Sequence, residues 1–480
     1  MKRFIALFLS CLLVMSFALT SCGDNESGGD TTSPTPKASG DATPAPGGED
    51  SEEPVATVTD DPSVKTINLY AFTEEVPGMV DKFLKLHPDF PLEFNKTVVP
   101  TTNGEYQPAL DAALQQGGDA APDIFCAEAA FVLKYTQGDA SKYAAAYKDL
   151  GIDVEAKIKE AAIAQYTIDI GTRGDGQVVG LGYQATGGAF IYRRSIAQDV
   201  WGTDDPAVIK EKLAGSWDNF FKTAEELKAK GYGIVSGDGD IWHAVENSSD
   251  AGWVVDGKLT IDPKREAFLD LSKKLKDNGY HNDTQDWTDA WFADMRDAGA
   301  KKIFGFFGPA WLINYTLGDN CGGEKVGEGT YGDWAICEPT IGFFWGGTWV
   351  LANKDTKVPA SVGKFIEWIT LDSSDTGLQT FWANGTLVDG EQGTKDAVGS
   401  SVVMGKADGT MDFLGGQNMF EVFAPAGASA TGLNLTQYDE GINRFFRDQV
   451  RAYTSGEKSQ EQAITDFKQQ VRDNLDVEVE

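Results

Sequence analysis

Aromatic and acidic side chains stand together in this sequence where apolar runs end. Phe72 is followed by Glu74 and Glu75, and Asp240 precedes Trp242 and His243. Trp311 lies just past Gly308-Pro309, and Trp345 adjoins Gly346-Gly347. An aromatic ring offers a face on which an apolar molecular face stacks. A carboxylate accepts hydrogen bonds that are modest in net value but costly to leave unpaired, which gives a site its selectivity. Paired glycines let the backbone approach a ligand closely. The combination suits reversible capture of a small polar solute. It would also suit hydrolysis of a glycoside by two carboxylates facing across a groove. That class stays open, because the 73 acidic residues offer many pairs. Other catalytic chemistry has little to build on. No Gly-x-Ser-x-Gly, P-loop, dinucleotide fingerprint or His-Glu-x-x-His occurs. Of the other two histidines, His87 precedes Pro88 at a helix end and His281 lies in a polar turn. The histidines are scattered and no metal spacing of cysteines exists, so neither a metal nor a cofactor is expected.

The elements that must hold these side chains alternate strand and helix. Val64 to Tyr70 reads as a strand, a helix follows through Val80, Phe83 and Leu84, and Leu92 to Phe94 reads as a second strand. Strand, helix, strand is a parallel crossover unit. Ligands sit beyond the carboxyl ends of such strands, which brings Phe72, Glu74 and Glu75 forward. A solvated first helical turn explains the two acids equally well. Tyr106 to Gln115 is an amphipathic helix, and Ala189 to Tyr192 is a strand entered through Gly187-Gly188. Ser216 caps a helix whose Phe220, Phe221, Ala224 and Leu227 share a face. A Gly/Asp/Ser loop then leads to Trp242 and His243. Trp287 and Trp291, four apart, are predicted on one helix face as core or groove lining. A strand from Lys302 breaks at Gly308-Pro309, and helices follow over Ser361–Leu371, Tyr438–Tyr453 and Glu461–Leu475.

Ahead of this body lie two segments of another kind. Met1 to Ser21 has Lys2-Arg3, an apolar run and a Leu19-Thr20-Ser21-Cys22 ending, the pattern of a signal peptide. That ending resembles the bacterial lipobox, which implies acylation of Cys22 after cleavage. Residues 22–62 are rich in Gly, Ser, Thr, Pro and acids, so they bury too little apolar surface to fold and are expected to form a disordered tether. No second apolar run spans a bilayer, so the body is expected to be anchored to a membrane rather than to cross it.

Gly180 to Trp242, in the order strand, capped helix and aromatic segment, resembles the extracellular solute-binding proteins that feed sugar-importing ABC transporters. There Arg193-Arg194 stands where the family has Asn-Lys, and Ser216-Trp217-Asp218-Asn219 where it has Thr-Trp-Asp-Glu. Pro122-Asp123-Ile124 is similar to the family's strand that ends at the cleft, which implies a ligand contact at Glu128. Gly308-Pro309-Ala310-Trp311 is similar to its Gly-Pro-Trp, with Ala310 inserted, and implies stacking on Trp311. Phe343 to Val350 is similar to its return strand, which puts Trp345 and Gly346 at the site. The resemblance covers roughly Val64 to Leu475. It implies an α/β, two-lobed fold of the type II periplasmic-binding-protein kind, each lobe a mostly parallel sheet flanked by helices. The lobes would comprise 63–185 with 339–380, and 186–338 with 381–480, with a hinge crossing from Tyr183 to Gly188. It also implies a carbohydrate ligand, ABC permease subunits as partners and a monomer without enzyme activity.

Composition is consistent with this. The net charge of −32 disfavours nucleic acid, which needs a basic footprint, and direct adsorption to anionic lipid. Acidity of this size keeps an exported protein soluble. In such a compartment a disulfide between Cys321 and Cys337 is plausible, contributing about 3 kcal/mol in the chain-entropy picture. A third class, a lipoprotein that binds peptide or another solute, would call for an extended surface instead of a cleft.

Overall fold

Apolar runs bounded by turn residues become the strands. The computed structural model describes residues 57–101 and 104–480. Cys22, the leader and most of the tether therefore lie outside the described residues. In chain order the elements that place the site are β1 (Thr66–Ala71), α1 (Glu75–Leu86), β2 (Glu93–Val98), α2 (Tyr106–Gln116), β3 (Ile124–Glu128), β4 (Gly180–Gly182) and β5 (Ala189–Arg193). After them come a small hairpin of β6 (Val254–Val255) and β7 (Lys258–Leu259), then β8 (Gly305–Gly308), β9 (Trp334–Cys337) and β10 (Thr348–Ala352).

Two sheets organise two lobes. The larger has the order β2-β1-β3-β10-β4, with β1 parallel to β2 and β3, and β10 antiparallel to β3 and β4. Period-two alternation gives it a core on each face. Ile124 and Cys126 of β3 pack on the side of α1, while Phe125 and Ala127 pack on the side of α2. The smaller sheet, β8-β5-β9, departs from the mostly parallel expectation. Here β5 runs antiparallel to both neighbours, because it leaves the crossing between the lobes while β8 and β9 return to it. Phe190 and Tyr192 face one core of this lobe, Ala189 and Ile191 the other.

Local signals place the helices. Ser216 accepts a hydrogen bond from Asn219 N and caps the helix Trp217–Ala229, whose Phe220, Phe221, Ala224 and Leu227 are buried. The return helix spans Pro359–Thr370, and the last two span Asp439–Thr454 and Gln460–Asn474. Three expectations change. Residues Gly239–Asn247 form a helix in place of a loop, with Ile241, Trp242, Ala244 and Val245 turned into the core. Trp287 precedes its helix, Asp289–Met295, and has a left-handed backbone (φ 66°). The tether also ends earlier than Pro62: Asp60 caps the return helix, accepting from Ala360 N at 2.8 Å and Ser361 Oγ at 2.6 Å.

Cys321 and Cys337 remain thiols, contrary to the expected disulfide. Cys337 faces the same core as Phe190, whereas Cys321 packs with Trp291 and Ile336 on the opposite face of the small sheet. Cys321 Sγ instead lies within donating distance of the carbonyls of Gly318 and Gly323, at 3.2 and 3.1 Å, and its one S–H is shared between them. The sheet itself stands between the two sulfurs.

Candidate functional site

The topology brings two sheet edges together. At one, β1 ends at Ala71, β3 at Glu128 and β4 at Gly182, and β10 begins at Thr348, paired with Glu128. At the other, β5 begins at Ala189 opposite Gly308, where β8 ends. The residues just beyond these ends are those picked out in the sequence: Phe72 to Glu75, Glu128, Tyr183, Trp311, Trp345 and Gly346.

Gly346 is the point of closest approach. Its left-handed backbone (φ 72°) suits glycine, and a Cβ there would lie 3.4 Å from Trp311 Nε1 and 3.6 Å from Glu128 Oε1. The segment is held from both sides. Thr186 Oγ1 donates to the Gly346 carbonyl at 2.8 Å, Ala129 N donates to the Gly347 carbonyl at 3.1 Å, and Trp345 N donates to Thr186 O at 3.1 Å. Trp311 Nε1 donates to the Trp345 carbonyl at 2.9 Å.

An aromatic wall stands on this base. The Trp311 and Trp345 rings meet edge to face at 4.9 Å, and Trp287 lies parallel to Trp311 with centroids 6.1 Å apart. Trp287 also meets Trp345 edge to face at 5.9 Å, and His243 stacks on Trp345 at 4.6 Å. Trp287 is 43% exposed, so its ring is available to a ligand. Behind the wall a layer of polar pairs fixes it. His243 pairs with Glu246 at 3.3 Å, and Asp286, the neighbour of Trp287, pairs with Arg447 at 2.6 Å.

Carboxyl groups occupy the opposite edge. Burial pushes Glu128 up to about 7, with repulsion from Glu440 adding to it, although Ala130 N donates to Oε2 at 2.8 Å. Glu75 is turned inward, where it accepts from Tyr183 OH, and burial raises it to about 7 as well. Asp396 sits close by; burial and the charge of Glu75 push it up to about 7. Tyr315, 46% exposed, feels both acids from a π-helical segment, Leu312–Leu317, that follows Trp311. Such segments recur at functional sites.

The remaining expected residues go elsewhere. Trp242 is 1% exposed and packs against Phe268 and Phe446 in the core of the smaller-sheet lobe. It cannot stack on a ligand, because the amphipathic pattern of its helix turns it inward. Asp240 is buried too, and its oxygens accept from Ser236 N, Gly237 N and Trp291 Nε1, each at 2.9 Å, so it braces the wall from behind. Glu74 is exposed at the start of α1. Phe72 is half-buried, packed edge to face on Tyr106 and Phe131. Sequence reasoning did not place Trp287, Asp396 or Tyr315 at the site. The one available signal was Trp287, whose spacing from Trp291 pointed to a helix face it does not occupy. Among the described residues no group of three His, Cys, Asp or Glu is placed to hold a metal ion, and no helix is long and apolar enough to cross a membrane.

Comparison with known proteins adds to this geometry. The model of the family described as bacterial extracellular solute-binding protein matches residues 78–396. Among curated proteins, none matches the sequence significantly. Among solved structures, an extracellular solute-binding protein of family 1 aligns with a TM-score of 0.69 at 17% identity, covering 85% of this chain and 99% of that one. The galacto-N-biose/lacto-N-biose I-binding protein of an ABC transporter from Bifidobacterium longum, in complex with lacto-N-biose, aligns with a TM-score of 0.62 at 16% identity, covering 88% and 100%. The sugar-binding protein MalE from Xanthomonas citri aligns with a TM-score of 0.62 at 14% identity, covering 85% and 97%.

Proposed function

Because the chain belongs to the family of bacterial extracellular solute-binding proteins, we propose that it captures a carbohydrate between its two lobes and hands it to the permease of an ABC transporter. One observation carries this reading: Trp287, Trp311 and Trp345 form a wall that meets Glu128 across Gly346. Indole faces cover the apolar faces of sugar rings, and the carboxyl groups accept from their hydroxyls. Three indoles offer more area than one sugar ring covers, which favours an oligosaccharide. The structural relatives that bind sugars support the ligand class. Hinge closure over the ligand would create the surface a permease reads. Acylation of Cys22 would hold the body on the outer face of the cell membrane and raise its local concentration near that partner. Neither binding nor release needs a covalent step, so the protein acts as a receptor and not as an enzyme.

The hydrolase reading keeps one observation on its side. Glu75 and Asp396 are neighbouring carboxyls near 7, Glu75 through burial and Asp396 through burial and the charge of Glu75, as an acid–base pair requires. One experiment decides between the two. The full chain is titrated calorimetrically with di- to tetrasaccharides while the same samples are followed by chromatography. Micromolar binding with intact sugar supports the receptor, hydrolysis products support the enzyme, and silence across the panel removes the carbohydrate assignment.

A further inference from the structure

The charges at this site do not balance. Glu75, Glu128 and Asp396 gather at one sheet edge, and among the described residues their hydrogen-bond donors are neutral. Tyr183 OH donates to Glu75 Oε2, Ala130 N to Glu128 Oε2, and Ala397 N and Gln184 Nε2 to Asp396. Glu128 Oε1 is left pointing toward Gly346 and the edge of Trp311. The basic groups nearby are committed elsewhere. Arg447 holds Asp286 at 2.6 Å, His243 holds Glu246 at 3.3 Å, and Lys395 reaches Asp408 and the Thr410 carbonyl at 3.4 and 3.2 Å. Facing this uncompensated edge, and independent of it, is the wall of indoles with half-exposed Trp287. Indole faces attract cations as well as sugar rings.

Building on the carbohydrate reading above, we propose that the preferred ligand is a sugar carrying a protonated amine, set between the carboxyl edge and the indole wall. A neutral sugar would satisfy hydrogen bonds yet leave the repulsion between Glu75 and Asp396 in place. A uronic acid or a phosphorylated sugar would add to that repulsion. An ammonium offsets it by favouring the ionised acids, and as a donor only it suits their carboxylate oxygens.

The test compares matched probes on the full chain by calorimetry. These are the glucose disaccharides in α-1,4 and β-1,4 linkage, their 2-amino analogues, the N-acetylated forms of those analogues, and a uronate-containing disaccharide. The amine form is expected to bind at least tenfold more tightly than the neutral and N-acetylated forms, and raising the salt concentration should narrow the gap. Glu75→Gln combined with Asp396→Asn, and separately Glu128→Gln, should each shrink that ratio severalfold. The ratio is read, since the affinities themselves will change. If the amine and neutral forms bind within threefold, or the uronate binds best, the inference is overturned while carbohydrate capture stands. An amine preference that survives all the substitutions overturns the assignment to this edge. If no probe of any charge binds, the carbohydrate reading fails and this inference with it.

Discussion

Two tryptophans that look alike in the sequence should fail in opposite ways. Trp242 is enclosed by Phe268 and Phe446, with ring centroids 4.9 and 5.9 Å away. Trp242→Ala removes a whole core side chain and should cost about 3–5 kcal/mol of stability. In a body of this size that is a fall in Tm of about 3–6 °C. The affinity of the molecules that remain folded should change less than threefold. Trp311 instead is half-buried, contributing its ring to the wall and one hydrogen bond to the Trp345 carbonyl at 2.9 Å. A ligand face stacked on this indole is worth about 0.5–1.5 kcal/mol beyond the area it buries, and freeing the Trp345 carbonyl loosens the wall by about 1 kcal/mol more. Trp311→Ala should therefore weaken ligand binding by about 2–3 kcal/mol, or about 30- to 150-fold. Its Tm should fall by less than half as much as that of Trp242→Ala. Differential scanning calorimetry and isothermal titration on both variants read the two axes separately. If Trp242→Ala abolishes binding at an unchanged Tm, or Trp311→Ala melts early and binds normally, the placement of the site is wrong.

Ligand-free stability should fall as pH rises from about 5 to 8. Burial holds Glu75, Glu128, Asp240, Asp396 and Asp439 at about 7, so the folded chain keeps protons in a range where the unfolded chain has released them. The lowered carboxyls of Asp286 and Glu246 are ionised in both states over that range and do not oppose the trend. Glu75→Gln should flatten the slope of Tm against pH, and an unchanged slope would count against a buried acid there. Gly346→Ala should lose at least tenfold in affinity, because it puts a side chain on a left-handed backbone and a methyl beside Trp311 and Glu128. Equal affinity by titration would mean the ligand passes elsewhere. Cys321 and Cys337 should both be alkylated when the protein is denatured without reductant, each adding one label by intact mass; a mass lacking those two labels would indicate the disulfide.

Much of the fold could be read from the sequence because its signals are local. The Ser216 cap, the apolar face of Phe220, Phe221, Ala224 and Leu227, and the strand, helix, strand start from Thr66 to Val98 are set by neighbouring residues. Glu128, Trp311, Trp345 and Gly346 were legible because each follows the end of a strand or a glycine turn, and strand ends converge in this topology. Trp242 was misplaced because its glycine- and aspartate-rich approach reads as a loop, while the hydrophobic faces around it favour a helix. Asp396 and Tyr315 were out of reach. Their relation to Glu75 exists only after distant segments pack, with no periodicity to announce it. The disulfide failed for a similar reason: proximity in sequence carries no information about which face of β9 a cysteine points to.

The aromatic wall also makes the protein its own optical instrument. Trp287, Trp311 and Trp345 have ring centroids between 4.9 and 6.1 Å apart, close enough for their excited states to mix. Trp345 belongs to a segment bonded at its backbone to Thr186, in the passage from β4 to β5. Relative movement of the lobes must therefore alter the angles among these chromophores, and a ligand lying on them must change their surroundings. Trp242, Trp253, Trp334 and Trp349 are sealed in cores and supply a constant background. Near-ultraviolet circular dichroism and emission quenching thus record closure and occupancy together, with no attached dye.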